Sequence, residues 1–358
     1  MRNYKLINNV LGWIVFAIAS TVYLLTIEPT ASFWDCGEFI SSAFKLEVGH
    51  PPGAPFFMLT ANLFTQFASD PTKVAVMVNS MSALFSGLTI LFLFWSITHM
   101  ARKIIVDEGA EVSLGQLITI MGSGLVGALA YTFSDTFWFS AVEGEVYAYS
   151  SLFTAVVFWL ILKWEEAADK PHADRWIVLI AYLMGLSIGV HLLNLLCIPA
   201  IVLVYYYKKA AHPTLKGTLI ALLVSFAIIG LMMFGVVQGL VEVCGYFELL
   251  FVNVFGMPYN SGVYAFAFVL AGVLAWAIWE TMREEVHPVR MRIAFILSVI
   301  LLGIPFIGSG YVIAVVLTVA LTAFLFVKKD VNIKLLNTIL VSLLVIVVGY
   351  SSYALTLI

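Results

Sequence analysis

Long apolar runs, separated by short polar segments, recur along almost the whole chain. A helix needs about 20 apolar residues to cross a bilayer, and runs of about that length predict eleven transmembrane helices. The predicted spans lie near residues 11–27, 75–99, 116–134, 146–163, 176–190, 193–207, 217–240, 263–282, 290–306, 310–327 and 334–357. The pattern therefore predicts an all-α polytopic membrane protein.

Basic residues test this count, because the cytoplasmic loops of membrane proteins collect Lys and Arg. With the N-terminus inside, every Lys and Arg lies on the inner side except Lys45 and Lys73. A single crossing over 176–207 would invert every later loop, so this segment is predicted to make two short passes that meet near His191 and Asn194. Passes this short predict a junction below the outer surface, in a cavity that faces outward.

Composition agrees with this class of protein. Hydrophobic residues make up 62% of the chain and charged residues 11%, which excludes a soluble protein. The net charge of −3 argues against a nucleic-acid partner. Free thiols are favoured over a Cys36–Cys244 disulfide, and Cys197 lies inside an apolar run. The first apolar run lacks a convincing cleavage site, so it is interpreted as an uncleaved helix and not as a signal peptide.

No internal repeat or linker divides the sequence. Residues 1–358 are therefore predicted to form a single transmembrane domain, whose first outward loop is 28–73. The last predicted span lies at the end of the sequence. Whether an outward soluble domain would follow Ile358 is left open.

The first outward loop is acidic and aromatic, and it is predicted to be structured. Apolar positions at helical spacing predict a short helix along the membrane interface, at Phe39, Ile40, Ala43, Phe44 and Leu46. Glu38, Ser42 and Lys45 share the opposite face of that helix. The stretch 49–55, Gly-His-Pro-Pro-Gly-Ala-Pro, is too rich in Pro and Gly for a helix and predicts a turn before the apolar segment 56–67.

Asp35 and Glu38 in this loop allow two interpretations. They have the spacing of a helix N-cap and its reciprocal Glu, which any amphipathic helix could carry. A carboxylate held beside aromatics at a membrane interface is also how a general base is positioned. His50 has a similar balance between a structural role and a role as a ligand.

A second outward loop, 133–147, again combines acids with aromatic residues. Glu143 and Glu145 could favour the N-terminus of the following helix, or they could line a polar site together with Tyr147 and Asp35. The carboxylates and histidines of the two loops and the junction make a metal site conceivable, from Asp35, Glu38, Glu143, Glu145, His50 and His191. No ligand spacing singles out such a site, so no metal cofactor is expected.

Several motifs together resemble a known family. They are Trp34-Asp35-Cys36-Gly37-Glu38-Phe39, the stretch 49–55, the stretch 141–147, Gly185 to Asn194, and Gly349-Tyr350-Ser351-Ser352-Tyr353. These residues are similar to the membrane domain of the plexin-type protein O-mannosyltransferases and their bacterial relatives. The resemblance implies a glycosyltransferase of the GT-C class, which takes a sugar from a polyprenyl-phosphate or dolichyl-phosphate carrier.

The resemblance also implies roles for particular residues. Asp35 would be the general base for a Ser or Thr hydroxyl of an extracytoplasmic protein, with inversion at the sugar, and Glu38 would orient the acceptor or Asp35. The lipid phosphate would need positive or hydrogen-bonding partners, for which Lys45 and His50 are candidates. His191 and Asn194 could reach the phosphate from the sunken junction. The sugar is expected to be mannose. The implied place is a bacterial inner membrane with the site facing the periplasm, or an endoplasmic reticulum membrane with the site facing the lumen.

Two other classes of function compete with an enzyme. A transporter or lipid flippase usually carries ionisable residues near the bilayer midplane, whereas the acids here gather in outward loops. His191 is the residual argument for a transporter. A structural or assembly subunit would not require an acidic first loop. The distribution of acids therefore favours an enzyme.

Overall fold

A computed structural model describes residues 2–306, 311–328 and 331–356. These residues form helices and turns and contain no strand, which confirms the predicted all-α class. The chain divides into two compact units. Unit 1 contains Met1–Cys197 and Val348–Leu357, and unit 2 contains Ile198–Val347. The predicted single domain is a statement about the whole chain, and it stays a prediction.

Unit 1 holds the first eight α-helices. They are α1 (Arg2–Leu25), α2 (Cys36–Lys45), α3 (Pro55–Thr65), α4 (Val74–Ile105), α5 (Leu114–Thr132), α6 (Asp135–Ala141), α7 (Val146–Ala167) and α8 (Asp174–Ile188). Three 3-10 segments also belong to this unit, which are Pro71–Lys73, Leu192–Cys197 and Ser351–Thr356.

Unit 2 holds the later helices. They are α9 (Ile198–Lys209), α10 (Leu215–Gly230), α11 (Gln238–Leu249), α12 (Ser261–Met282), α13 (Pro288–Leu301), α14 (Tyr311–Val327) and α15 (Ile333–Tyr350), whose last three residues belong to unit 1. Two π-helical segments, Leu231–Val237 and Leu250–Val254, interrupt the run from α10 onward. Helices α11, α12 and α13 pack around a core that includes Leu274, Ala294 and Leu302.

Eight helical segments within the described ranges are long and apolar enough to cross a membrane. They correspond to eight of the eleven predicted spans. The other three predicted spans are the shorter helices α8, α13 and α14, so the count of eleven is not confirmed. Residues 310 and 357, at the ends of two predicted spans, lie outside the described residues.

The predicted span 217–240 is part of a much longer helical segment. Helical structure continues from Leu215 to Val254, over 40 residues. The two π-helical segments change the spacing of the backbone hydrogen bonds locally but do not end the helix. At 1.5 Å per residue this segment is about 60 Å long, about twice the hydrocarbon thickness of a bilayer. Glu242 and Glu248 lie in its last part, so this helix does carry acids, contrary to the predicted span that ended at 240.

Helix α4 is the central element of unit 1 and packs against α1, α5 and α7. Small residues allow these close approaches. A methyl group added at Gly87 of α4 would lie 3.3 Å from Phe16 of α1, and one at Gly124 of α5 would lie 2.8 Å from Phe94. The Tyr23 hydroxyl of α1 donates to the Thr132 carbonyl of α5 at 2.9 Å, and this hydrogen bond joins the C-terminal ends of the two helices.

The two predicted outward loops meet at one end of unit 1. The Glu28 amide donates to the Val142 carbonyl at 3.1 Å. The buried Asn79 side chain of α4 donates to the carbonyls of Glu28 at 2.7 Å and Thr30 at 3.0 Å. A third contact joins Gly189, at the end of α8, whose carbonyl accepts from the Phe56 amide at 2.8 Å. The two loops and the 189–194 junction thus lie at the same end of unit 1, and their predicted outward orientation stays a prediction.

Local structure in these loops agrees with most of the predicted elements. Helix α2 forms where the interfacial helix was predicted, and α3 forms over the apolar segment 56–67. Ser42 was predicted on the polar face but is buried, because α2 packs on α3 as well as on α4. The short helix α6 in the second loop was not predicted.

Candidate active site

A pocket of about 260 Å³ opens where the loops of unit 1 converge. Four segments contribute to it: the first loop, the start of α7, the turn after α8, and the C-terminal 3-10 segment. The lining residues are Asp35, Phe39, His50, Pro52, Gly53, Ala54, Glu145, Val146, Tyr147, Ile188, Val190, His191, Leu192 and Tyr353. The lining thus includes five of the residues predicted from the sequence, which are Asp35, His50, Glu145, Tyr147 and His191.

His50 lies between two carboxylates of the first loop. Glu38 accepts hydrogen bonds from both the His50 backbone amide, at 2.5 Å, and the His50 Nδ1, at 2.9 Å. Asp35 Oδ2 lies 3.9 Å from the other ring nitrogen, Nε2. The hydrogen bond that His50 donates to Glu38, followed by the charges of Glu38 and Asp35, raises the pKa of His50, and the hydrogen bonds from His50 lower the pKa of Glu38. The site therefore favours a positively charged imidazole.

The predicted capping box of α2 does not form. Asp35 occupies the N-cap position, but its side chain makes no capping hydrogen bond, and Glu38 binds His50 instead of the Asp35 amide. The capping interpretation of this pair is therefore wrong. The Asp35 carboxylate accepts no hydrogen bond from the residues that the structure describes, and it is about half exposed at the pocket. It is thus available to a substrate.

The turn between α2 and α3 brings His50 to Glu38. Gly53 has a φ of +75°, which is the left-handed region that glycine adopts without strain. Gly49 lies so close to Glu38 that a methyl group there would be 3.1 Å from Oε1. The predicted Gly- and Pro-rich turn is thus the element that positions the histidine.

Glu145 caps α7 and also lines the pocket, so both of its predicted roles are combined in one side chain. Its Oε2 accepts from the Val146 amide at 3.0 Å. Burial, with the charges of Glu143 and Asp35, raises the pKa of Glu145 to about 7, against the bond from Val146 and the charge of His50. This carboxyl group is therefore partly protonated near neutral pH.

Glu143 lies behind the pocket and is not among its lining residues. The Cys36 thiol donates to Glu143 Oε2 at 3.6 Å, and burial raises the pKa of both groups. Cys36, Cys197 and Cys244 are all free, as favoured from the sequence.

The rings of His191 and Tyr147 lie next to each other in the pocket lining, with centroids 5.4 Å apart. His191 Nδ1 accepts a hydrogen bond from the Leu193 amide at 3.1 Å. Burial lowers the pKa of His191, which is opposite to the direction for His50. The surroundings of the two histidines therefore favour opposite states, the protonated ring at His50 and the neutral ring at His191.

Two other predicted residues lie outside the lining. Asn194 is fully buried and donates to the Ser187 hydroxyl at 3.0 Å. Lys45 is exposed and pairs with Glu47 at 3.7 Å on the far end of α2. Their predicted roles in substrate binding remain predictions.

Tyr353 was not predicted as a site residue, although its motif, 349–353, contributed to the family resemblance. Its hydroxyl donates to the Gly53 carbonyl at 2.9 Å and lies 3.3 Å from the Ile188 carbonyl. The C-terminal segment thus joins the first-loop turn to the end of α8. No local signal in the sequence could have shown this, because Tyr353 and Gly53 are 300 residues apart.

One group of the described residues has the composition of a metal site. Atoms of Asp35, Glu38 and His50 that could serve as ligands lie within 4.8 Å of one another. The imidazole already occupies the space between the two carboxylates. The prediction that no metal cofactor is needed stays a prediction.

The fold and the pocket define a polytopic helical membrane protein with a carboxylate- and histidine-containing site at one end of its first unit. The chain belongs to the family described as "Protein O-mannosyl-transferase TMEM260 N-terminal domain", whose profile matches residues 35–214. The match contains every predicted site residue and confirms the resemblance noted in the sequence.

Two curated relatives are similar to about half of the chain. The mouse protein O-mannosyl-transferase TMEM260 is 29% identical over 175 residues, which are 49% of this chain and 22% of the relative. The Dictyostelium discoideum protein of the same name is 25% identical over 187 residues, which are 51% of this chain and 21% of the relative. The match thus covers about one fifth of each relative's length. No solved structure matches the chain.

Proposed function

We propose that this protein is an inverting glycosyltransferase that moves mannose from a polyprenyl-phosphate carrier to Ser or Thr hydroxyls of extracytoplasmic proteins. The observation that carries the proposal is the half-exposed Asp35 carboxylate beside His50, in a pocket lined mainly by the family-matched segment. The names of the relatives support the class of reaction.

Asp35 acts as the general base. The acceptor hydroxyl oxygen attacks the anomeric carbon, and its proton passes to the Asp35 carboxylate. The bond between the anomeric carbon and the phosphate oxygen breaks, and the electron pair leaves with the lipid phosphate. A single displacement of this kind inverts the configuration at the anomeric carbon. A positioned general base contributes about 10²–10⁴-fold to the rate.

His50 binds the phosphate that leaves. Its carboxylate neighbours favour the protonated ring, and a protonated imidazole stabilises the negative charge that develops on the phosphate oxygen. Lys45, the other candidate from the sequence, instead pairs with Glu47 on the exposed end of α2. Glu38 acts through His50, because both of its carboxylate oxygens accept from that residue. The role of Glu38 is therefore to position His50 and keep it charged.

The site works on the extracytoplasmic side of the membrane. Lys and Arg residues are concentrated in the loops on the opposite side, which by the charge rule is the cytoplasmic side. The proposed position of the pocket is the periplasmic face of the inner membrane in a bacterium, or the lumenal face of the endoplasmic reticulum in a eukaryote. A lipid-borne donor and an exported protein acceptor meet at such a face.

The test is transfer of radiolabelled mannose from polyprenyl-phosphate-mannose to envelope proteins in membranes that contain the wild-type chain or Asp35→Asn at equal levels. We expect label with the wild type and a loss of about 10²–10⁴-fold in Asp35→Asn, because Asn has nearly the same shape but cannot accept the proton.

Glu47→Gln is the matched control, since it removes an exposed carboxylate of the same loop that does not line the pocket. It should retain full transfer. Equal transfer in Asp35→Asn and wild type would remove Asp35 from the mechanism. The absence of label with the wild type and every lipid-linked sugar offered would overturn the proposed reaction.

A further inference from the structure

The pocket lining contains aromatic as well as carboxylate side chains. Tyr147, His191 and Tyr353 supply aromatic rings, and Asp35, His50 and Glu145 supply titratable groups. The Tyr147 and His191 rings lie side by side, with centroids 5.4 Å apart, and the Tyr353 hydroxyl lies 3.3 Å from the carbonyl of Ile188, three residues before His191. A sugar ring is neutral and is bound by polar groups that fix its hydroxyls together with apolar or aromatic surface. The leaving phosphate is anionic and is stabilised by charged groups, so the two kinds of lining residue suit the two parts of one donor molecule.

His191 presents a hydrogen-bond donor of fixed identity. Because its Nδ1 accepts from the Leu193 amide, the neutral ring must carry its proton on Nε2. Burial lowers the pKa of His191 and so favours this neutral form. The Nε2–H group has no hydrogen-bond partner among the residues that the structure describes, although the ring lines the pocket. A ligand that offers a hydroxyl oxygen would supply that partner.

Two tyrosines line the pocket together with His191. Tyr147 is about half exposed at the first turn of α7, and its ring lies beside His191. The Tyr353 hydroxyl binds the Gly53 carbonyl, so its ring is held over the turn that also carries His50. The cavity of about 260 Å³ is larger than one hexopyranosyl unit.

We propose that Tyr147, His191 and Tyr353 form the subsite for the sugar of the donor, in which the His191 Nε2–H donates to a hydroxyl of a neutral hexopyranosyl group. This inference rests on the proposed function for the identity of the donor. It differs from the interpretation of the sequence, which assigned His191 to the lipid phosphate.

The experiment compares two ligands that differ only in the sugar. Affinities of the purified full chain for polyprenyl phosphate and for polyprenyl-phosphate-mannose of equal lipid length are measured, and their ratio reports the contribution of the sugar. We expect the wild type to prefer the mannosylated lipid. His191→Ala should lower the ratio about 10-fold, the equivalent of one neutral hydrogen bond, with little change in affinity for polyprenyl phosphate.

Two further variants sharpen the comparison. His191→Gln keeps an uncharged N–H donor and should retain part of the preference, and Tyr147→Ala should lower it through lost ring contact. His212→Ala, which removes an exposed histidine of unit 2, should leave the ratio unchanged. Retained binding of polyprenyl phosphate shows that each variant is folded.

An unchanged ratio in His191→Ala would overturn the subsite, and so would a wild type without preference for the mannosylated lipid. An equal loss for both ligands would also overturn it, because His191 would then act on the phosphate. The transfer assay separates this inference from the proposed function. If the wild type preferred the mannosylated lipid but transferred no mannose, the subsite would stand and the proposed reaction would be refuted. If the wild type transferred mannose but His191→Ala had an unchanged affinity ratio, the reaction would stand and the subsite would be refuted.

Discussion

At the scale of single residues, Glu38 shows how one contact decides between two interpretations. The spacing of Asp35 and Glu38 is equally compatible with a helix cap and with a reactive pair, and no property of either side chain distinguishes them in the sequence. The distinction comes from His50, twelve residues after Glu38, because its backbone amide and ring nitrogen form hydrogen bonds with both carboxylate oxygens of Glu38. The acids and histidines of the site could thus be predicted, but their partners could not.

Replacing Glu38 should change the pH dependence of transfer. Glu38→Gln replaces the charged hydrogen-bond acceptor that raises the pKa of His50 with a neutral one, so the pKa of His50 should fall towards its ordinary value. If His50 works as a cation, activity is lost as the pH rises through its pKa, and in the variant this loss should begin at lower pH. We expect about 10-fold less transfer near pH 7.5 in a pH–rate profile. A profile with the wild-type midpoint would show that Glu38 does not act through His50.

Glu145 makes a separate prediction about stability. In the folded protein its pKa is raised to about 7, whereas in the unfolded chain it titrates near 4.5. The folded state therefore holds a proton that the unfolded state has lost, and the contribution of Glu145 to stability falls as the pH rises from about 4.5 to about 7. Glu145→Gln should remove this fall.

The measurement is thermal unfolding of both proteins in the same detergent at pH 5 and pH 8. The difference in Tm between wild type and Glu145→Gln should change in favour of the variant at pH 8. If Tm changed by the same amount between pH 5 and pH 8 in both proteins, the raised pKa of Glu145 would be refuted as a source of the pH dependence. Glu47→Gln again serves as the control, since its carboxylate is exposed.

At the scale of helices, close backbone contact holds the C-terminal segment against α8. A methyl group at Gly349 would lie 2.5 Å from the Leu186 amide nitrogen and 2.8 Å from the Tyr182 carbonyl oxygen. Backbone atoms cannot rotate away as side chains do. The last turn of α15 must therefore move if any side chain is placed there.

Gly349→Ala should consequently reduce both stability and transfer. Overpacking of this kind costs about 1–3 kcal/mol, and displacement of the last turn would also move Tyr353 away from Gly53. Thermal unfolding and the mannose-transfer assay measure the two effects. Gly122→Ala in α5 is the control, because a methyl group there meets no atom within 4 Å. If both alanine variants behaved alike, the tight contact would not matter.

Helix prediction succeeded where length and apolarity were both clear. Helices α1, α4, α5, α7 and α12 lie where long apolar runs predicted them. The short helix α6 was missed because seven residues are too few for periodicity to show. The continuation of helix to Val254 was missed because Glu242 and Glu248 interrupt the apolar pattern but not the backbone. Polar residues mark the end of a hydrophobic run, which need not be the end of a helix.

At the scale of the whole molecule, the number of crossings is the main quantity that the sequence leaves undecided. Helices α8, α13 and α14 have 15, 14 and 17 residues, which is short for a crossing. Apolar composition is shared by helices that span a bilayer and helices that only pack within it. The apolar runs therefore need the charge of the connecting loops as an independent test of the count of eleven.

Labelling of single cysteines tests this topology. In a variant whose three native cysteines are replaced by alanine, cysteines are introduced singly at Glu47, Glu108, Met257, His212 and Glu285. An impermeant thiol reagent applied to intact cells should label only the proteins with cysteine at positions 47 and 257. The other three should react only after the membrane is opened. Labelling of position 212 from outside would show that the segment 176–207 crosses once.

The contact between Tyr353 and Gly53 also bears on the order in which the site is made. A ribosome synthesises the chain from its N-terminus, so Asp35, His50, Glu145 and His191 are all in place long before Tyr353 is added. Until Tyr353 has been made, the pocket lacks the part of its lining that this residue contributes. Enzymatic competence should therefore require synthesis of the chain through Tyr353, which would keep shorter nascent chains from acting on the donor.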